Sequence, residues 1–379
     1  MNIPFNKPYL TGTELEYITQ ALKNRKLSGD GDFTFRCQEY FEKRFNFGKS
    51  LLTSSCTDAL EMSAILADIK LGDEVIAPSY TFVSTVNAFA LRGAKIIFVD
   101  SSTENPNLDV SALPGLISEN TKAIIPVHYA GVACDMDPIL SLAKQYNLSV
   151  IEDAAQAFDS YYKGKSLGSI GQFSTFSFHE TKNIICGEGG MLVVNDKNHI
   201  ARAEIIREKG TNRSAFFRGD VDKYGWVDVG SSFLPSDILA SMLYAQLLES
   251  ERIQNRRVDI WQRYWDALSI LSDNGLAQLP IIPDYATNNG HMFYLVCRNI
   301  DERSELISYL KNNGIQAVFH YQCLHKSKFF EGKHDDRVLW NADRYTDCLV
   351  RLPLYFELEN EQINFIATCI LQFYGLAKN

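Results

Sequence analysis

Six short apolar runs recur through the first two hundred residues: DEVIAPS, AKIIFVD, TKAIIPVHY, LSVIEDAA, FSTFSF and MLVVND. They are nearly continuous rather than alternating, which is how strands buried on both faces read. Helical patterns lie between them, TDALEMSAILADI and DPILSLAKQYN, the second with Pro138 in its first turn, where a missing N–H costs nothing. Upstream, TGTE at residues 11–14 has capping-box spacing before the helical positions Leu15, Ile18 and Leu22. The pattern predicts an α/β fold with a mostly parallel sheet covered by helices on both faces. Such sheets hold ligands beyond the carboxyl ends of their strands.

From about Ser236 the pattern changes. Long helices, SDILASMLYAQLLESERI and RRVDIWQRYWDALSIL, are followed by a strand HMFYLVCRNI, a helix DERSELISYLKNNG, a strand QAVFHY and a last helix NEQINFIATCILQFYG. This reads as a smaller α+β domain, with the large domain over 1–250 and the small one over 251–379. The stretch KFFEGKHDDR reads as the principal loop of the second half, and no internal repeat or low-complexity segment interrupts the chain.

Composition narrows the function. With 379 residues, 46% of them hydrophobic, the chain is long enough for a large core and for two domains. A net charge of -9 argues against a general nucleic-acid or anionic-membrane binder. The start, MNIPFNKPYLTGTELEY, lacks a basic region followed by an apolar one, and no run is long enough to span a membrane, so a cytoplasmic protein is expected. Eight cysteines without a CxxC pair fit reduced thiols, most of them small core residues.

Chemistry concentrates in STFSFHETKNIICGEGGMLVVND, residues 174–196. A zinc helix of the H-E-x-x-H kind needs two histidines on one face, and His179-Glu180-Thr181-Lys182-Asn183 has asparagine at the second position, so no metal site is expected. No G-x-x-x-x-G-K-[ST] occurs, and GDGD, GSIG and GEGG do not follow a first strand as a dinucleotide fingerprint does. LLTSSCTDALEM carries Ser54, Ser55, Cys56 and Thr57 into a helix start, which is either an ordinary cap or an anion cradle. In VIEDAAQAF, strand alternation puts Ile151 and Asp153 on one face and Glu152 on the other, with Gln156 just past the strand. A carboxylate at that strand end is either a helix cap or the partner of a cation. One ligand would satisfy an anion cradle, Asp153 and the lone Lys182 together. Pyridoxal 5'-phosphate has a phosphate, a ring nitrogen that wants an acid, and an aldehyde that forms a Schiff base with lysine.

At these residues the chain resembles the DegT-type sugar-nucleotide aminotransferases. GDEVIAPSYTFVSTVNAF, GAKIIFVD, PVHYAGVACDMDPI, VIEDAAQAF, GSIGQFSTFSFHETKN and GEGGMLVVND follow the family's order over nearly the whole chain. The resemblance implies the fold type I of pyridoxal-phosphate transferases, with a seven-stranded sheet. It implies Lys182 as the Schiff-base lysine, Asp153 at the ring nitrogen and Gln156 at the 3-hydroxyl. Cys56, Thr57 and Ser177 fall at phosphate positions, and Phe82 at the aromatic that stacks on the ring. Where many members carry GYNYRM this chain has GSSFLPSD, so Ser232 is the candidate for the phosphate contact made across a homodimer. His179 stands where tyrosine or phenylalanine is common. Retention of Lys182 separates the chain from relatives that carry histidine there and dehydrate sugars.

SFHETKN, LSGDGDFTFRCQEYFEKRF and REKGTNRSAFFRGDVDKYGWVDVGSSFLPSD are similar to the branch that takes dTDP-4-keto-6-deoxyglucose and L-glutamate for enterobacterial common antigen. The pyridoxamine phosphate form would carry the amino group between the two. Arg207, Arg213 and Arg218 are candidates for the diphosphate or the glutamate carboxylate, since a guanidinium fork suits both, and each is equally an ordinary surface charge. His320 and Tyr321 resemble positions near the sugar, while His320 and His325 are equally structural histidines. Transamination at C3, the C4-epimeric product and a non-catalytic cofactor-binding regulator are the alternatives.

Overall fold

The computed structural model describes residues 2–377. Its main sheet has seven strands: β1 (Lys49–Thr53), β2 (Glu74–Pro78), β3 (Lys95–Val99), β4 (Thr121–Ile124), β5 (Ser149–Asp153), β8 (Phe173–Ser177) and β9 (Gly190–Val194), with the two-residue strands β6 (Tyr161–Tyr162) and β7 (Lys165–Ser166) forming a separate hairpin. The spatial order is β1-β9-β8-β5-β4-β2-β3, and β9 alone runs antiparallel to its neighbours. The expected parallel sheet is therefore present, and LLT of the SSCT stretch supplies its edge strand.

Successive strand residues face opposite ways, and the core divides accordingly. Leu51, Val75, Ile96, Ile151 and Leu192 pack beneath α3 (Cys56–Leu66), α4 (Ser84–Ala90) and α6 (Ile200–Arg207). Their chain neighbours Leu52, Ile76, Ile97, Val150 and Val193 pack on the other face against α1 (Glu14–Asn24), α2 (Asp32–Phe45), α5 (Met136–Tyr146) and α8 (Asp237–Leu248). Each such buried aliphatic side chain contributes about 1.5–3 kcal/mol. In α1, Glu14 accepts from the N–H groups of Thr11 and Gly12, which is half of the expected capping box. The helix buries Ala21 and sets Tyr17 edge-on to Tyr244, while Leu15 and Leu22 face outward at 77% and 50% exposure.

The helical run at 236–253 is broken at Glu249, where α8 ends and the 24-residue α9 (Ser250–Asp273) begins; the short α7 (Arg213–Arg218) precedes both. Beyond them a three-stranded sheet, β10 (Phe293–Val296), β12 (Leu349–Leu352) and β11 (Val318–Phe319) in that order, packs on α9, α10 (Ile300–Asn312) and α12 (Asn360–Phe373), next to α11 (Trp340–Cys348). Its central strand β12 was absent from the sequence reading, and QAVFHY pairs over only two residues. The KFFEGKHDDR stretch is a loop as expected. Ile3 joins this smaller core through a bridge to Ile315. Among the described residues no helix is long and apolar enough to cross a membrane.

The end of β5 is tied down by Glu152, which is fully buried. Its carboxylate accepts from the N–H groups of Gly168, Ile170 and Gly171 at 2.7–2.9 Å, from Ser174 Oγ at 2.9 Å, and meets His128 Nε2 at 3.0 Å. Burial works to raise its pKa, but the bond and charge of His128 and the backbone donors hold it below the ordinary glutamate value. A depressed carboxylate stabilises the fold fully above its unfolded pKa and loses that contribution as pH falls through the folded value. Glu152→Gln turns donors against donors and should cost about 3 kcal/mol at neutral pH. Urea unfolding should show the deficit at neutral pH and a smaller one in acid.

Candidate active site

The carboxyl ends of β5 and β8 open into a cleft of about 800 Å³ between the two sheets. Its floor carries Asp153, 5% exposed, whose Oδ2 accepts from Thr85 Oγ1 at 2.7 Å and whose Oδ1 accepts from the Ala155 N–H at 3.1 Å. Two donors in fixed places orient the carboxylate toward the cleft. Gln156 lies beside it, accepting from the Ala130 N–H at 2.6 Å and donating to the Tyr321 hydroxyl at 3.1 Å.

One wall is the start of α3. Ser55 caps the helix by accepting from the Asp58 N–H, while Ser54 donates to the Phe233 carbonyl outside the cleft. Cys56, Thr57 and, from β8, Ser177 line the cleft, with Thr57 Oγ1 at 2.8 Å from Ser84 Oγ. The stretch is thus both a capped helix and a row of polar groups at a positive helix end. Gly190 makes this possible: a Cβ there would stand 2.3 Å from the Cys56 nitrogen. Only glycine lets β9 pass under the helix start.

Lys182 enters from the turn after β8, with its backbone N–H on the His179 carbonyl. Burial lowers the pKa of its amine; the nearby Cys56 and Asp153 pull upward, and Arg351 pushes further down. Among the described residues it has no ion pair. His179 lines the cleft and is held in the turn by Thr181, whose Oγ1 lies 2.9 Å from its Nδ1. Glu180 instead points outward, and its carbonyl accepts from Asn6.

The opposite wall comes from the smaller sheet and the chain start: Phe5, Asn6, Arg257, His291, His320, Tyr321 and Arg351. His320 Nδ1 meets the Tyr129 hydroxyl at 2.7 Å, its carbonyl accepts from Tyr80, and burial first, then Arg351 and Lys182, push its pKa well down. It is a neutral ring stacked on Tyr321, whose backbone sits at φ 52°. Phe82 stands at the mouth, 56% exposed, offering a free ring face.

Three arginine candidates lie away from the cleft of this chain. Arg207 is buried in an ion pair with Asp30 at 2.6 Å and donates to Gln38 and the Leu52 carbonyl. Arg213 pairs with Glu208, and Arg218 with Glu204 and Asp220. None of the three lines the cleft, because each has a carboxylate of its own nearer by. Ser232 is exposed beside Glu208 and likewise lies outside it. His325 is structural: Ser79 holds its Nδ1, and Asp343, already bonded to Lys326 at 2.7 Å, faces its Nε2. Thr85, Arg257, His291 and Arg351 escaped the sequence reading, although Arg351 carried a signal as the one charge inside CLVRLPL.

Pyridoxal phosphate fits this donor set. Cys56, Thr57, Ser177 and the α3 amides would take the phosphate, Asp153 the ring nitrogen, Gln156 the 3-hydroxyl, Phe82 the ring face and Lys182 the aldehyde.

Residues 8–371 match the DegT/DnrJ/EryC1/StrS aminotransferase family. GDP-perosamine synthase of Escherichia coli O157:H7 is 33% identical over 374 residues, 98% of this chain and 99% of that protein. Among solved structures, DesV of S. venezuelae in complex with a ketimine intermediate superposes with a TM-score of 0.90 at 26% identity, covering 100% of both chains. A putative sugar aminotransferase of Streptococcus pneumoniae in its PMP form gives 0.90 at 25%, covering 99% of each. Because Arg207 is placed as a buried structural cation, Arg207→Ala should lower stability by about 2–4 kcal/mol through the stranded Asp30 and Gln38. Protein that folds should keep its KM for sugar nucleotide, as steady-state kinetics would show.

Proposed function

The chain belongs to the DegT/DnrJ/EryC1/StrS aminotransferase family, and we propose that it transfers the amino group of L-glutamate to dTDP-4-keto-6-deoxyglucose, giving dTDP-4-amino-4,6-dideoxygalactose and 2-oxoglutarate. It is a sugar aminotransferase that uses pyridoxal phosphate. The observation that carries the reading is the amine of Lys182, lowered in pKa, set in one cleft with Asp153 and the polar start of α3.

When bound, the cofactor supplies an aldehyde carbon that carries the amino group between substrates and a ring that draws electron density. With the cofactor bound, the Lys182 amine would take the α-proton of glutamate, and in the second half it would give a proton to the sugar carbon. An amine lowered below the ordinary lysine value is free to accept that proton at a lower pH. Asp153, fixed by Thr85 and the Ala155 amide, keeps the ring nitrogen protonated. His179, from the same turn as Lys182, and Tyr321, across the cleft, flank the space left for the sugar.

The dTDP branch rests on SFHETKN, LSGDGDFTFRCQEYFEKRF and the 207–237 stretch; the related perosamine synthase is named for a GDP-sugar. C3 transamination and the epimeric C4 product are the runner-up readings. A homodimer is part of the proposal. Phe217, Tyr224, Trp226, Val227 and Val229 form an exposed apolar stretch, Trp226 at 82%, close in sequence to Ser232. A partner covering it would bring Ser232 to the other subunit's phosphate. The free thiols suit a reducing compartment, and we place the enzyme in the cytoplasm.

Adding glutamate to the loaded protein should bleach its visible cofactor absorbance, and an indifferent band would refute transamination. Lys182→Ala should lower turnover by at least ~1000-fold with the fold retained, checked by circular dichroism. A panel of dTDP-, GDP- and UDP-keto sugars, with products assigned by NMR, should favour the dTDP-4-keto sugar. Sedimentation should give a dimer that Trp226→Glu weakens.

A further inference from the structure

Past Tyr321 the chain leaves the cleft wall and makes a short 3-10 turn at Leu324–Lys326. Cys323 and His325, 2% and 8% exposed, flank Leu324 there, and Asp343 comes to them from α11. One donor atom from each of the three lies within 4.8 Å of the others. No hydrogen bond joins any two of them among the described residues, and His325 Nε2 stands 3.5 Å from Asp343 Oδ1. Ligands on one tetrahedral zinc, at ~2.0–2.3 Å from the metal, stand ~3.3–3.8 Å apart. The cluster therefore has the spacing of ligands around a shared centre, and side-chain shifts of about 1 Å would close it on one ion.

Each donor is also held from its outer side. Ser79, just past β2, accepts from the His325 N–H at 3.2 Å, and its Oγ lies 2.7 Å from Nδ1. With Nδ1–H donating to Ser79, the lone pair of the ring is on Nε2, toward Asp343. Metal-binding histidines are oriented in this way, through the nitrogen that does not bind. Thr346 Oγ1 accepts from the Cys323 N–H at 3.1 Å and lies 2.8 Å from Sγ, so its own proton turns to the sulfur. Asp343 Oδ2 meets Lys326 at 2.7 Å, while Oδ1 has no hydrogen bond among the described residues. Asp100 accepts from the N–H groups of Asn341 and Ala342 and so fixes the start of the helix that carries Asp343. The His334 ring packs 5.1 Å from that of His325 and donates from Nε2 to the Arg337 carbonyl, which makes it a cover for the cluster.

We propose that Cys323, His325 and Asp343 form a zinc site, with a water in the fourth position. A thiolate, an imidazole and a carboxylate together suit Zn²⁺ better than Mg²⁺ or Ca²⁺, which prefer oxygen alone. Burial pushes the Cys323 thiol up to about 12, against the pull of the Thr346 hydroxyl, so the sulfur starts protonated. On binding, its proton goes to solvent as the sulfur–zinc bond forms. Thiolate and carboxylate then offset the two charges of the ion. Oδ1 is the ligating oxygen of Asp343, and Lys326, 64% exposed on Oδ2, competes only through its charge. The ion would join the His320–His325 stretch to α11 and, through Ser79, to the end of β2, whose continuation carries Phe82. It is a clip between two segments that each send one residue into the cleft, Tyr321 and Phe82, and it touches neither.

Untagged protein loaded with its cofactor, stripped of metal by a chelator and dialysed against zinc chloride, should retain one zinc per chain by elemental analysis. In competition with a chromophoric chelator, Cys323→Ser and His325→Gln should each weaken binding by at least ~100-fold, and Ser79→Ala by ~10–100-fold. Lys326→Gln removes the competing cation at an exposed position and should tighten binding by ~2–5-fold, which misfolding cannot imitate. Cobalt in place of zinc should give the visible bands of a four-coordinate ion and a sulfur-to-metal charge-transfer band that Cys323→Ser removes. Zinc should raise the Tm of the parent and leave that of Cys323→Ser where it was. Should the serine variant fail to fold, the Lys326→Gln affinity and the sulfur band of the cobalt-loaded parent decide the matter. Zinc uptake that Cys323→Ser leaves unchanged would mark an adventitious ion only and overturn the proposal. So would the lack of stoichiometric zinc, a cobalt spectrum without a sulfur band, or binding that Lys326→Gln weakens or leaves as it was.

Discussion

The period of two along β5 forces Glu152 and Asp153 to opposite faces of the sheet, and the site depends on that separation. Glu152 gathers three backbone amides from the loop that leads into β8, Ser174 from β8 itself and His128 from the segment after β4. The loop is thereby fixed, and β8 emerges in register with Ser177 and the Lys182 turn at its end. Asp153 is left to face the cleft with only Thr85 and one amide upon it. A one-residue slip in β5 would exchange the two and leave a buried, unanswered charge on each side.

The cleft built on that strand is short of negative charge. Lys182, Arg257 and Arg351 face it, and Asp153 is the buried carboxylate they share it with. The histidines of the wall stay neutral because burial and the nearby cations disfavour a further proton. Such a cavity favours ligands that bring their own anions, which the cofactor phosphate and an amino acid both do. In a water-poor space these attractions are stronger than at the surface. Burial first, then the charge of Arg351, depresses Lys182 against the pull of Cys56 and Asp153 and suits it to proton transfer.

Much of this was readable in the chain, for reasons that differ by element. The strands of the main sheet are apolar on both faces, so their pattern is loud; β12, reading LVRL, is interrupted by an arginine that belongs to the cleft. Lys182, Asp153 and Gln156 were legible because local motifs fix them on one strand end or one turn. Arg207, Arg213 and Arg218 misled because a cluster of cations does not show which are already paired: Asp30 reaches Arg207 only through folding, while Glu208, Glu204 and Asp220 lie nearby in the chain. Leu15 and Leu22 kept the helical period of α1 but turned outward, since period alone does not say which apolar stripe meets the core. Thr85 was silent because a residue supplied from a distant helix has no local signature, and the lone charge of Arg351 in LVRL does not say which cleft it faces.

The wall opposite Asp153 joins residues near the start of the chain to β12, the last strand among the described residues, with Phe5 against Arg351 and Ile3 bridged to Ile315. Contacts of such separation form late, because the entropy of closing a long loop is met before they reward it. During synthesis the α3 cradle and Asp153 can form once β8 and β9 have emerged, while the facing wall waits for β12 to leave the ribosome. A half-made protein would thus present the phosphate end of the site to solvent with no second side to hold a ligand. Capture of the cofactor becomes a seal on a finished chain rather than a seed for folding it.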